Sequence, residues 1–148
     1  IALLEDARAG SEPGMELHLY IYGLADPVSW GRVSRLAERT SGVVLHRDAD
    51  PEEFLEALKE ASVYLRNTSH DSYGVAVAEA LFLGTPAVAT SVCQRPPAAR
   101  LFAPGDTVEM KRLVLEAIHD TRSIEEWGSD GMDGYEYALQ VLRDPGRP

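Results

Sequence analysis

Short continuous runs of apolar residues alternate along the chain with longer segments in which apolar residues recur every three or four positions. The short runs are typical of strands buried on both faces, and the longer segments are typical of amphipathic helices. The runs predict strands at 17–23, 43–46, 62–67, 87–90 and 100–103. The periodic segments predict helices at 2–9, 27–40, 48–61, 73–83, 107–120 and 135–144.

Capping residues support several of these helix boundaries. Asp50 precedes a proline and two glutamates, which is a typical helix start. Either Asp106 or Thr107 is expected to cap the helix that follows it, and Gly84 is expected to end the helix at 73–83.

The alternation of strands and helices predicts an α/β fold with a doubly wound, Rossmann-like and mostly parallel sheet flanked by helices. In such sheets ligands bind beyond the carboxyl ends of the strands. The segments of interest are therefore the strand exits, which are Gly23, 46–47, 67–74 and 90–95.

Composition places the chain among globular proteins and limits its partners. Its 148 residues include 45% hydrophobic and 26% charged residues, which fits a single domain with an ordinary core. The net charge of −10 argues against nucleic acid as a partner, because nucleic-acid-binding proteins present Lys and Arg on one face. Cys93 is the only cysteine and the four histidines show no metal-ligand spacing, so we expect no metal site.

The chain carries no apolar run long enough to span a membrane, and a reducing compartment such as the cytoplasm is expected. Its first residues, "IALLEDARAG", lack the basic region of a signal peptide and resemble the middle of a helix. We therefore expect the chain to be a piece of a longer protein.

The segment "TSHDSYGVAVAEALFLGTP" places two carboxylates at the richest strand exit. Glu79 stands alone in an apolar helix, where burial without a partner would cost several kcal/mol. Asp71 precedes the helix, and eight residues of helix rotate by roughly 80°, so both could line one side of a cleft. Two simpler interpretations stay open: Asp71 caps the helix, and Glu79 is exposed or pairs with an arginine.

Vicinal hydroxyl groups would suit these carboxylates, because one carboxylate can accept two hydrogen bonds at once. A ribose offers such a pair, so we expect Glu79 to bind a ribose. Gly74 would let the backbone approach a ligand closely, and the free amides at the helix start favour a phosphate.

The segment "NTSHDSYGVAVAEALFLGTPAVAT" resembles the donor-binding segment of retaining family-4 (group 1) glycosyltransferases of the GT-B fold. Their pattern is roughly P-S-x-x-E-x-[FY]-G-x-x-x-x-E-A-x-x-x-G-x-P-V. In this sequence Asp71 replaces the first Glu of the E-x7-E motif, and Glu79 is the second. The other matched positions are Thr68, Tyr73, Gly74, Ala80, Gly84 and Pro86.

The resemblance implies a role for each matched residue. Glu79 would hold the ribose hydroxyls of a nucleotide-sugar, and Asp71 would contact the transferred sugar as the catalytic residue. Donor-binding residues would also be Thr68, Ser72, Tyr73, Gly74, Val75, Gly23, His46 and Arg47, the last two near the nucleobase.

The resemblance further implies that residues 1–148 form a single nucleotide-sugar-binding domain, the C-terminal half of a GT-B fold. The chain begins after the family's G-R-x-x-x-x-K-G segment, so we expect the first strand and the N-terminal acceptor domain to lie outside it. The whole enzyme would be a hexosyltransferase of carbohydrate biosynthesis, and this piece alone would be inactive. It would transfer a sugar from a UDP- or GDP-sugar to a glycan or glycolipid with retention, without cofactor or metal. Peripheral membrane association would suit the whole enzyme.

Two other classes of function remain as alternatives. One is a non-catalytic, flavodoxin-like signalling or interaction module, although no Lys follows "AVAT" as a receiver domain would require. The other is a sugar-nucleotide epimerase or phosphorylase of the GT-B fold.

Overall fold

The computed structural model describes residues 15–24 and 26–119. The chain divides into two compact units, Ile1–Phe54 and Leu55–Pro148. The predicted helices at 2–9 and 135–144 lie outside the described residues.

The first unit contains a pair of parallel strands joined by a helix. Strand β1 (Leu17–Ile21) leads through helix α1 (Pro27–Arg39) to strand β2 (Val43–Arg47). The strands pair in parallel from Leu17 opposite Val43 to Ile21 opposite Arg47. Helix α2 (Pro51–Glu60) follows and contains the division between the units.

Asp26 determines where α1 begins. Its carboxylate accepts hydrogen bonds from the backbone N–H groups of Val28 at 3.3 Å and Ser29 at 2.8 Å. These N–H groups belong to the first turn and have no partner within the helix. Pro27 occupies the first helical position, where a residue without an N–H group loses nothing.

The described part of the second unit contains a three-stranded parallel sheet and two further helices. The strands are β3 (Tyr64–Arg66), β4 (Ala87–Thr90) and β5 (Arg100–Phe102), in the order β3-β4-β5. Helix α3 (Val75–Phe82) connects β3 to β4, and helix α4 (Thr107–Ile118) follows β5.

The core of the second unit surrounds β4. All four residues of β4 are buried, so both faces of the strand are covered. Helices α3 and α4 both pack on β4. Their fully or nearly buried apolar residues are Val77, Ala78, Ala80, Leu81, Leu113, Val114 and Ala117. Full burial of one Leu or Val contributes about 1.5–3 kcal/mol relative to exposure, so these helices are held mainly by their packing.

Gly84 ends α3 as predicted. It has a φ of 87°, which favours glycine, and its N–H donates to the Leu81 carbonyl at 3.1 Å. The N–H of Thr85 donates to the Ala80 carbonyl at 2.8 Å. These two bonds form a Schellman motif, which satisfies carbonyls that have no partner within the helix.

Two predicted boundaries of α3 and β1 are wrong by two residues. Helix α3 begins at Val75 rather than 73, because Gly74 has a left-handed conformation with a φ of 78° that cannot belong to the helix. Strand β1 ends at Ile21 rather than 23, and Gly23 lies in the following loop with a φ of 64°.

The described residues confirm the α/β class, with parallel strands connected by helices. They form two separate sheets of two and three strands. A single doubly wound sheet and a single domain over residues 1–148 stay predictions.

Candidate functional site

The loops that follow β3 and β4 leave the same edge of the sheet, because the two strands are parallel neighbours. Arg66 is the last residue of β3 and Thr90 the last of β4. Residues 67–74 and 91–95 therefore start side by side, and the sequence-predicted site falls largely on the first of these loops.

The carboxylate of Asp71 is held by two guanidinium groups. Its Oδ2 accepts from Arg66 Nε at 2.9 Å and from Arg95 Nη1 at 2.8 Å, and its Oδ1 accepts from Arg66 Nη2 at 3.2 Å. The Thr68 hydroxyl at 3.3 Å and the Ser72 N–H at 3.0 Å also donate to it. The Asp71 side chain is only 8% exposed. These five donors occupy the acceptor positions that a carboxylate offers.

The pKa of Asp71 is held well below its usual range, mainly by Arg66 and also by Arg95, although burial acts in the opposite direction. Asp71 is therefore ionised at neutral pH, where it anchors its loop. The interpretation that Asp71 caps α3 is wrong, because Gly74 is the N-cap residue and no side chain caps this helix. The predicted contact between Asp71 and the transferred sugar stays a prediction, and it requires a sugar hydroxyl to replace one of the present donors.

The Arg95 side chain is fully buried and uses each of its five N–H groups. Its Nε donates to the Thr90 carbonyl at 3.0 Å. Its Nη1 donates to Asp71 and, at 3.3 Å, to the Tyr73 carbonyl. Its Nη2 donates to the hydroxyls of Thr68 at 3.5 Å and Thr90 at 3.4 Å. Arg95 thus ties the loop after β3 to the end of β4.

Gly74 makes room for this arginine. A Cβ atom at position 74 would lie 2.2 Å from Arg95 Nη1 and 3.3 Å from Val77 Cγ2. The sequence predicted that Gly74 allows a close approach by a ligand. In the structure the group that approaches is the guanidinium of Arg95.

Glu79 lies on α3 in a half-buried position. Its carboxylate makes no hydrogen bond or ion pair with any of the described residues, and burial raises the pKa of this group. The interpretation that Glu79 is exposed is wrong, because it is half-buried, and none of the described arginines pairs with it. Its fully buried helix neighbours are Val77, Ala78, Ala80 and Leu81.

Tyr64, the first residue of β3, is affected by burial and by three nearby charges. Burial raises the pKa of its phenol, and the charges of Asp71 and Glu79 raise it further, whereas Arg66 lowers it. The Tyr64 hydroxyl is therefore within electrostatic range of all three groups. The prediction that Asp71 and Glu79 line one side of a cleft stays a prediction.

The remaining predicted residues of this loop lie in one hydrogen-bonded segment. The Thr68 carbonyl accepts from the Thr90 hydroxyl at 2.8 Å, and the Ser72 carbonyl accepts from the Cys93 thiol. Tyr73 contributes its carbonyl to Arg95, and Val75 begins α3 with 42% exposure. The structure thus brings Thr68, Ser72, Tyr73, Gly74 and Val75 together.

His46 belongs to the first unit, where it lies in a polar cluster. Its ring stacks on Tyr20 with centroids 4.2 Å apart and planes at 5°. Its Nδ1 lies 3.2 Å from Glu53 Oε1, and its Nε2 lies 3.1 Å from His18 Nδ1. The predicted role of His46 near a nucleobase stays a prediction.

Gly23 and Arg47 also belong to the first unit, at the carboxyl ends of β1 and β2. The N–H of Gly23 donates to Asp48 Oδ1 at 2.8 Å, which joins the two strand exits. The Arg47 guanidinium lies 4.4 Å from the centre of the Trp30 ring. This cation–π contact and the turn at Gly23 hold the two predicted residues at one edge of the sheet.

The sequence motif indicates no role for Arg66 or Arg95. Arg66 carries a weak local signal, since a strand that is otherwise apolar ends in a charge. Arg95 carries no comparable signal, because the burial of the neighbouring Pro96 is known only from the structure.

Comparison with known proteins gives no assignment: no protein-family model matches the chain, and no curated protein is significantly similar to it. Across residues 15–24 and 26–119, no helix is long and apolar enough to cross a membrane. Over the same residues, no group of three or more His, Cys, Asp or Glu side chains is arranged to hold a metal ion.

Proposed function

We propose that the chain is the donor-binding domain of a retaining glycosyltransferase, the C-terminal half of a GT-B fold with a doubly wound sheet. It binds a UDP- or GDP-sugar, and the enzyme transfers the sugar to a glycan or glycolipid on the cytoplasmic side. The α/β class, the parallel strands and the position of the loop at the carboxyl edge of the sheet support this proposal.

The observation that carries the proposal is the environment of Glu79. A carboxylate loses hydration on burial, and it recovers that free energy only through hydrogen bonds or an opposite charge. Glu79 has neither among the described residues, and burial raises its pKa. Perturbed carboxylates of this kind cluster at functional sites. The two vicinal hydroxyls of a ribose would give Glu79 the two donors it lacks.

The start of α3 supports a diphosphate next to that ribose. The first N–H groups of a helix have no partner within it, and no side chain caps α3. The positive end of the helix dipole adds to their attraction for anions. Two arginines share the single carboxylate of Asp71, so this ion cluster carries a net positive charge beside the helix start.

Replacement of Glu79 by Gln tests the proposal. The isotopically labelled chain would be titrated with UDP-glucose and with GDP-mannose at up to millimolar concentration, with amide resonances as the readout. In the wild type we expect shifts at Gly74 and Glu79. In Glu79→Gln we expect binding to weaken by about 1–3 kcal/mol, or about 5- to 150-fold, because a charge-assisted hydrogen bond is lost. Glu116→Gln is the matched control, since Glu116 is exposed on α4.

The stability of Glu79→Gln separates a functional carboxylate from a structural one. Burial raises the folded-state pKa of Glu79 above its unfolded value of about 4.3. The contribution of Glu79 to stability is therefore present below the unfolded pKa and is lost as the pH rises through the folded pKa. At neutral pH the variant should therefore be more stable than the wild type while it binds more weakly. If neither sugar nucleotide moves the amides of Gly74 and Glu79, the proposed function is refuted.

A further inference from the structure

We infer that Arg95 is the positioning residue of residues 68–75, and that it sets the conformation in which this loop meets the donor. The inference rests on the proposed function for the ligand, but the arrangement of the loop is independent of it. We expect Arg95 to act on the donor only through the loop that it orders, and not by touching the donor itself.

The geometry of the guanidinium explains why an arginine is required. Its five donors reach three separate parts of the chain: the end of β4 at Thr90, the start of the loop at Thr68, and the end of the loop at Asp71 and Tyr73. A lysine keeps the charge, but its three N–H groups are all attached to one nitrogen atom. They therefore cannot reach acceptors that lie in three separate parts of the chain. A role that depended on charge alone would survive the change to lysine.

The contact with the Tyr73 carbonyl transmits this order to α3. Tyr73 directly precedes Gly74, whose φ of 78° and ψ of 67° form the N-cap of the helix. The Gly74 carbonyl in turn accepts from the Val77 N–H at 2.8 Å. By fixing the peptide before Gly74, Arg95 fixes the direction in which the first free amides of α3 point.

Arg95→Lys is the decisive variant, with Arg112→Lys as its matched control, because Arg112 forms its ion pairs on the surface of α4. Amide hydrogen exchange would be measured over the whole chain. Within residues 72–77 the N–H groups of Ser72 and Val77 are hydrogen-bonded, and we expect their exchange to accelerate by about tenfold or more in Arg95→Lys, while β4 and α4 keep their protection. We expect Arg112→Lys to leave exchange of residues 72–77 unchanged.

Ligand titrations give the second readout. Arg95→Lys should weaken binding of the nucleotide-sugar by about tenfold, because the loop that meets the sugar and phosphates is misplaced, and should leave binding of the free nucleoside unchanged. Equal weakening of both ligands would overturn the positioning role.

Asp71→Asn keeps the inference testable if Arg95→Lys does not fold. This variant retains the shape of the side chain but removes the charge that Arg95 Nη1 faces, so residues 72–77 should again exchange faster. Unchanged exchange of these residues in whichever variant folds would overturn the inference. A wild-type chain that binds no nucleotide-sugar would refute the proposed function, and the exchange data would still decide whether Arg95 orders the loop.

Discussion

Gly74→Ala tests the packing of Arg95 against the start of α3. The new methyl group would meet two obstacles, a backbone with a φ of 78° and the Nη1 atom of Arg95 at 2.2 Å. Real Cβ contacts do not occur below 3.0 Å, so the guanidinium must move. That displacement would break its hydrogen bonds to Asp71 and to the Tyr73 carbonyl.

The two obstacles contribute separate amounts to the loss of stability. A left-handed backbone costs an alanine about 1–2 kcal/mol. Loss of a hydrogen bond to a charged group costs about 1.5–3 kcal/mol. Arg66 still neutralises Asp71, so the larger penalty of about 3–5 kcal/mol for an unpaired buried charge does not apply in full. Counting the backbone term and the bond to Asp71 alone, we therefore expect a loss of about 2.5–5 kcal/mol, a large part of the roughly 5–15 kcal/mol that is typical of a folded domain.

Gly105→Ala is the matched control, because Gly105 has a φ of 84° and a Cβ atom added there would meet no other atom within 4 Å. It should lose only the backbone term of about 1–2 kcal/mol. The smaller unfolded-state entropy of alanine stabilises both variants equally and cancels in the comparison. Urea unfolding followed by far-ultraviolet circular dichroism gives both values.

A combination with Arg95→Ala completes the test as a double-mutant cycle. Without the guanidinium the methyl group finds space, so Gly74→Ala should cost about 2 kcal/mol less in that background than in the wild type. Equal destabilisation by Gly74→Ala and Gly105→Ala, or strict additivity in the cycle, would refute the reasoning.

Two further predictions concern individual carboxylates. The folded-state pKa of Asp71 is lowered, so its contribution to stability is present above the unfolded pKa of about 3.9 and is lost as the pH falls towards the folded value. Urea unfolding measured between pH 7 and pH 3 should show this loss of stability. In Asp71→Asn the stability should depend less on pH over the same range. Asp106→Ala removes the side chain that accepts from the Glu109 N–H at 2.9 Å at the start of α4, and should destabilise the chain by about 1 kcal/mol in the same assay, with a smaller loss for Asp106→Asn.

The elements that the sequence predicted correctly are those whose causes are local. Either Asp106 or Thr107 was predicted as a cap because both precede most of an amphipathic run, and in the structure the carboxylate of Asp106 caps α4. Gly84 was predicted to end α3 because only glycine readily takes the left-handed conformation there. Gly74 caused the error of two residues in α3, because a glycine before a helix can belong to the helix or to the loop, and the sequence does not distinguish these cases.

The ion pairs of the site could not be predicted, because they join residues that are distant in the sequence. Arg95 lies 24 residues after Asp71, and periodicity carries no information about which arginine a carboxylate meets. Sequence reasoning considered an arginine partner for Glu79, whereas the structure places two arginines on Asp71. That outcome depends on the register of β3 and β4, which places the loops after Arg66 and Thr90 next to each other.

The two carboxylates of the predicted motif thus have opposite environments although only eight positions separate them. Asp71 has its charge stabilised by two guanidinium groups, whereas the charge of Glu79 is disfavoured by burial. Titratable groups whose pKa values are pushed apart in this way usually have different roles. Neutralising Asp71 should therefore loosen the loop and destabilise the chain at neutral pH. Neutralising Glu79 should stabilise the chain and weaken donor binding, so that the sign of the stability change assigns each carboxylate to the fold or to the ligand.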